Sequence, residues 1–118
     1  MKFTIEFYSL PDGTEPVTEF LDSLDQNMAN KILREIMLLE EFGNQLREPH
    51  TKHLDDGIFE LRAIYGSNIT RVLFFFYYRG RIILTNGFTK KTQKTPQNEI
   101  DTAKKYRDDF LNKYRRIE

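Results

Sequence analysis

At 118 residues the chain has the length of one domain with a single core, and 39% hydrophobic and 14% aromatic residues make its 31% of charged ones a solvated exterior and not a sign of disorder. The absence of cysteine excludes disulfides, thiolate nucleophiles and cysteine zinc sites; residues 1–10 lack the apolar stretch of a signal peptide, and no run approaches the ~20 apolar residues of a membrane span, so a cytoplasmic protein without a membrane partner is expected. Net charge is zero but segregated: residues 1–51 carry four Lys/Arg against ten Asp/Glu, a net of −6, and residues 52–118 carry fourteen against eight, a net of +6. Such a split suits a basic surface that attracts phosphates, and equally suits two halves that neutralise each other across the fold.

Phe3, Ile5 and Phe7 alternate with Lys2, Thr4 and Glu6, the period of a half-buried strand, and Pro11-Asp12-Gly13 ends it in a turn. Val17, Phe20, Leu21 and Leu24 then recur at helical spacing behind Pro16, a good first helical residue, with Glu15 and Glu19 near the positive end of the dipole. A longer helix follows from about Asn27. Its buried stripe is Met28, Ile32, Ile36, Leu39 and Phe42, and Gly43-Asn44 stops it. Residues 45–56 show no period and read as a loop leading to a turn at Asp56-Gly57. Three β-rich runs at 58–65, 69–78 and 81–88, separated by Gly66-Ser67-Asn68 and Arg79-Gly80, predict an antiparallel meander. After a basic link over 90–94, Thr95 suits an N-cap and Pro96 the first position of a last helix, marked by Ile100, Ala103, Tyr106, Phe110 and Tyr114. No repeat or linker divides the chain, so a single domain over residues 1–118 is expected. Its class is α+β: an antiparallel sheet of the N-terminal strand plus the meander, two N-terminal helices on one face, a C-terminal helix, and the other face partly open.

On the strand over 58–65, alternation puts Phe59, Leu61 and Ala63 on one side and Glu60 and Arg62 on the open one, with Arg71 roughly opposite Arg62 across the hairpin. Two arginines on one concave face suit a phosphate, although spacing alone favours the plainer reading that Glu60 pairs with either arginine as a surface salt bridge. Residues 88–96 bring Lys90, Lys91, Lys94 and three threonines together before a helix N-terminus, where free N–H groups favour anions; a solvated link has the same composition. Lys52 and His53 add a cation and the residue type that exchanges protons near neutral pH. His50 lies three residues before His53, but with no cysteine and no nearby acidic third ligand a metal site is not expected. The tract Phe74-Phe75-Phe76-Tyr77-Tyr78 reads as a central strand buried on both faces, which leaves Tyr77 or Tyr78 for stacking on unpaired bases. A glycine-rich phosphate loop, a Ser-His-Asp arrangement and a paired-carboxylate pattern are all missing, which argues against nucleotide hydrolysis and glycosidase chemistry.

Lys52-His53-Leu54, Gly57-Ile58-Phe59-Glu60-Leu61-Arg62, Arg71-Val72-Leu73 and Gly87-Phe88-Thr89-Lys90-Lys91-Thr92-Gln93-Lys94-Thr95-Pro96, followed by Glu99, Ile100 and Ala103, together resemble the phage-derived HigB-like branch of the RelE/ParE toxins. The resemblance extends in motif detail over about residues 50–105 and in element order over the whole chain. It implies a RelE-like fold and the toxin of a type II toxin–antitoxin pair, an endoribonuclease that needs neither metal nor cofactor and cuts mRNA on the ribosome. The implied partner is a helix-turn-helix antitoxin of HigA type, with no specific DNA binding by the toxin itself. Cleavage of RNA by its own 2′-hydroxyl requires a base, charge stabilisation at the phosphorane and protonation of the leaving 5′-oxygen. In that pattern Arg62 and Arg71 hold the scissile phosphate, and Lys90 grips it or a neighbour together with the RNA-binding Lys91 and Lys94. His53 transfers the proton with Glu60 as competing base, and Lys52 is a supporting cation. Two further classes stay open: a ParE-like toxin that poisons DNA gyrase and cuts no RNA, and a non-catalytic RNA- or protein-binding module.

Overall fold

The computed structural model describes residues 2–117, with side chains through Lys113, so the side chain of Tyr114 lies outside the described residues. Its elements are β1 (Thr4–Phe7), α1 (Pro16–Ser23), α2 (Gln26–Phe42), β2 (Thr51–Asp55), β3 (Ile58–Tyr65), β4 (Asn68–Tyr77), β5 (Arg81–Lys90) and α3 (Gln97–Ile117). The α+β class and the meander are as the sequence implies. Gly66, at a φ of 64°, turns β3 into β4 with Tyr65 paired to Asn68, a two-residue connection that needs left-handed backbone. This turn fixes the register that sets Arg62 opposite Arg71.

Three features differ from expectation. The sheet has five strands in the order β1-β5-β4-β3-β2, and β1 runs parallel to β5. A two-residue period reports which face a strand buries and says nothing about its neighbour or direction, so the sheet is mixed where a wholly antiparallel one is expected from the sequence. Residues 51–55, read as loop, form an edge strand antiparallel to β3, with an irregularity between His53 and Asp55. The face opposite α1 and α2 is not left open, because α3 packs on it: Ile58, Leu73, Phe75, Ile83 and Phe88 meet Ala103 and Phe110 there.

The first core lies between the sheet and α1 and α2, where Val17, Ile32 and Leu39 close on Leu61, Val72, Phe74, Ile82 and Leu84. The aromatic tract of β4 is split as expected, Phe74 entering this core and Phe75 the α3 core. Asp25 caps α2 by accepting the Met28 N–H at 2.9 Å, and Phe42, expected in the buried stripe, is exposed beside the Gly43 stop. Thr95 was expected to cap α3. The Pro96 carbonyl instead accepts the Ile100 N–H, and the Thr95 hydroxyl turns to Glu60 in the sheet.

Candidate functional site

Two cross-strand rows on the α3 side of the sheet carry the polar residues. One runs Lys52, Glu60, Leu73 and Asn86, and the next Arg62, Arg71 and Phe88. Residues directly opposite in paired strands share a face, so the sequence places Lys52, Glu60, Arg62 and Arg71 side by side once the hairpin registers are set. α3 begins only at Gln97, and Asn86 Nδ2 anchors its first turn by donating to the Glu99 carbonyl at 3.2 Å and to Glu99 Oε1 at 3.1 Å. The preceding segment, residues 91–96, crosses the arginine row.

That crossing buries what alternation alone assigned to an open face. Arg71 is 0% and Glu60 1% exposed. Arg71 Nη2 donates to the Thr92 carbonyl and, at 2.8 Å, to the Gln93 carbonyl. Arg62 Nη2 donates to Gln93 Oε1 at 3.1 Å. Glu60 sits between the two guanidinium groups, 3.4 Å from Arg71 Nε and 3.3 Å from Arg62 Nε, and accepts the Thr95 hydroxyl. Burial lowers the pKa of Arg71 from its ordinary value; the Glu60 carboxylate opposes that shift and Arg62 adds to it. The guanidinium nevertheless stays charged at neutral pH. Arg62 Nε and Arg71 Nε and Nη1 are buried and find no hydrogen-bond partner among the described residues, so ionic attraction and not aligned hydrogen bonding holds Glu60 to the pair.

Beside this cluster opens a cleft of about 480 Å³, bounded by Lys52 and His53 of β2, Glu60 of β3, and Gln93, Lys94 and Thr95 of the crossing segment. Lys52, His53 and Lys94 are exposed there. His53 Nε2 accepts the Gly57 N–H at 3.3 Å, and its ring stands edge-on to Phe59 at 5.0 Å, which orients the imidazole without burying it. Asp55 at the rim is ion-paired to Lys104 of α3. The hydrogen bond and charge of Lys104 hold the Asp55 carboxyl below the usual range, and the same bond raises the Lys104 ammonium. An acid that would otherwise oppose the cleft's positive charge is thereby neutralised from α3.

Of the eight residues singled out in the sequence, Lys52, His53, Glu60, Arg62, Arg71 and Lys94 come together around cleft and cluster. Lys90 and Lys91 do not. Lys90 pairs with Ile69, two residues beyond the Arg71–Phe88 row, and both lysines are exposed away from the residues that bound the cleft. His50 turns to α2, its Nδ1 2.7 Å from Glu35 Oε1. Sequence reasoning missed Gln93 and the role of Thr95. The bond from Thr95 to Glu60 spans 35 residues, whereas the capping signal that competed for this hydroxyl is local.

No helix among the described residues is long and apolar enough to cross a membrane. No curated protein matches the chain. The model of a family described as phage-derived protein Gp49-like (DUF891) matches residues 19–108, from α1 into α3, a span that contains the whole cluster and cleft. This is a RelE- and toxin-like family of toxin–antitoxin systems, which suggests a toxin–antitoxin partner in general. With most of its length inside that match, the chain belongs to the Gp49-like family of phage-derived proteins.

Proposed function

We propose that this protein is a HigB-like toxin that cuts mRNA on the ribosome without a metal ion and is restrained by a HigA-type helix-turn-helix antitoxin. The observation that carries this reading is the convergence of exposed Lys52, His53 and Lys94 in one cleft, at the edge of a cluster that contains Arg62 and Arg71. A cleft lined by cations attracts phosphates and stabilises the charge that builds on a phosphorane.

In the reaction a proton passes from the RNA 2′-hydroxyl to His53, the 2′-oxygen bonds to phosphorus, and the bond to the 5′-oxygen breaks. That oxygen takes the proton back from the imidazolium. The products are a 2′,3′-cyclic phosphate and a 5′-hydroxyl, and His53 ends neutral. His53 Nε2 is also the acceptor of the Gly57 N–H, so taking the proton there gives up one long hydrogen bond. Glu60 is the weaker candidate for base, because it is buried against two guanidinium groups and a hydroxyl. Lys52, Lys94 and the partly exposed Arg62 hold phosphates. Arg71 acts with Glu60 and Thr95 as a positioning residue that fixes the segment carrying Lys94.

The test incubates the purified full chain with translating ribosomes and, separately, with free RNA in excess chelator, and maps new ends by primer extension. Wild type should leave 5′-hydroxyl ends. Folded His53→Ala and Arg62→Ala should each slow their formation by about a hundredfold or more. Wild-type rates in both folded variants would remove the proposed site. No RNA ends alongside gyrase-linked DNA breaks would replace the nuclease with a gyrase poison.

A further inference from the structure

β2 begins at Thr51, paired with Leu61, so from Arg62 onward the outer edge of β3 pairs with no strand among the described residues. Its backbone is met instead by two isolated bonds: the Arg62 N–H donates to the His50 carbonyl at 2.9 Å, and Lys31 Nζ of α2 to the Ile64 carbonyl at 3.2 Å. Between this edge and α2 lies a second cleft of about 240 Å³, lined by Lys31, Arg34, Glu35, His50 and Arg62. Glu35, the acid lining it, is engaged by His50. Arg34 is exposed and faces a carboxylate in none of the ion pairs described.

Arg62 joins the two clefts. It lines the second, while its Nη2 holds Gln93, which lines the first. The charge distribution points the same way. The acidic first half has only four Lys/Arg, Lys2, Lys31, Arg34 and Arg47. Lys31 and Arg34 line the second cleft, and Arg47 lines another that it shares with Lys52 and His53. A half that is otherwise acidic therefore places two cations beside the free edge of β3 and a third beside β2.

We propose that the second cleft binds phosphates of the RNA strand as it leaves the first, so that the strand bends over the sheet edge at Arg62 and meets Arg34 and Lys31 of α2. This rests on the RNA reading of the first cleft and extends it to a longer footprint. Each phosphate neutralised releases counterions, so a longer track shows in the salt dependence of binding as well as in affinity.

The test uses fluorescent 2′-O-methyl oligoribonucleotides, which lack the attacking hydroxyl and report binding without cleavage. Dissociation constants for a tetramer and a dodecamer are measured over a salt series for wild type, Arg34→Glu, Arg34→Ala and Lys52→Glu. Both Arg34 variants should weaken the dodecamer and spare the tetramer, Arg34→Glu by about tenfold with the salt slope falling by about one; Lys52→Glu should weaken both lengths. Equal loss at both lengths, or none at either, in Arg34→Glu overturns the second cleft alone. If wild type binds neither strand, or Lys52→Glu changes neither, the RNA reading of the first cleft fails and the extended track with it. Melting curves of the variants matching wild type confirm that the comparison is between folded proteins.

Discussion

Glu60 shows what one buried charge does when its partners arrive from three different places. Arg62 lies two residues along the same strand, Arg71 comes from the adjacent strand and Thr95 from the segment before α3. Removing one partner of such a group leaves the others desolvated and uncompensated, which costs more than the pair contributes to stability. Glu60→Gln is therefore expected to lower unfolding free energy by roughly 3 kcal/mol, measured by urea denaturation, and to reduce cleavage through loss of the 91–96 conformation. A variant as stable as wild type yet inactive would instead make Glu60 the base. Arg71→Lys should not restore stability to an Arg71→Ala variant, because a single ammonium cannot reach the Thr92 and Gln93 carbonyls and Glu60 as the fork does. The residue types were legible in the sequence, and so was the pairing of Arg62 with Arg71. Burial was not: alternation assigns a side chain to a face, and only the path of residues 91–96 decides whether water reaches that face.

At the scale of elements, the turns carried most of the information and the edge strand least. Asp56-Gly57, with φ of 51° and 78°, is the hairpin between β2 and β3, and an Asp-Gly pair is a strong signal for such a turn. Lys52, His53, Asp55 and the half-buried Leu54 still hide the strand, since an edge element with little buried surface has no hydrophobic alternation to show. That hidden strand supplies Lys52 and His53 to the cleft, so misreading it as loop left their orientation undefined. β5 shows a constraint of another kind at Gly87, where α1 approaches the sheet and an added Cβ would run into the Phe20 ring. Gly87→Ala should destabilise the fold by about 1–3 kcal/mol through overpacking, visible as a lower denaturation midpoint with an unchanged m-value. An unchanged midpoint would mean that α1 can move away from β5 without loss. Nothing local distinguishes this glycine from one that simply ends a strand, because Phe20 lies 67 positions earlier in the sequence.

Across the whole molecule, α3 is tied back to the first strand by Tyr8. Its hydroxyl donates to Asp109 Oδ2 at 2.7 Å, its ring stacks on Tyr106, and the Lys113 ammonium lies over it. Burial and then the Asp109 carboxylate push the Tyr8 phenol well above its ordinary value near 10. A raised pKa means that the folded state keeps a proton the unfolded chain gives up. This contribution is complete below pH 10 and is lost as pH rises from there toward the folded value. Wild type should accordingly lose up to about 1.4 kcal/mol more per pH unit than Tyr8→Phe above that point, as read from urea unfolding of both proteins in parallel; equal slopes would show that Tyr8 ionises alike in both states. The two charge halves also resolve at this scale. Glu6–Arg81 joins them, whereas Asp55–Lys104, Asp56–Arg107 and Asp109–Lys113 lie within the basic half, and Lys52 and Lys94 remain exposed at the cleft.

The sequence by itself determined the α+β class, the meander with Arg62 opposite Arg71, the two N-terminal helices and the residue types needed to hold an anion. These depend on periodicity, turn chemistry and caps, which act over a few neighbouring residues. Tertiary structure alone decided that β1 runs parallel to β5, that α3 covers the second face, that Glu60 and Arg71 are sealed beneath residues 91–96, and that Arg62 lines one cleft while holding Gln93 at the other. Each of those outcomes depends on where a distant segment comes to rest, and the free energy that selects it belongs to the packed whole and to no local stretch of the chain.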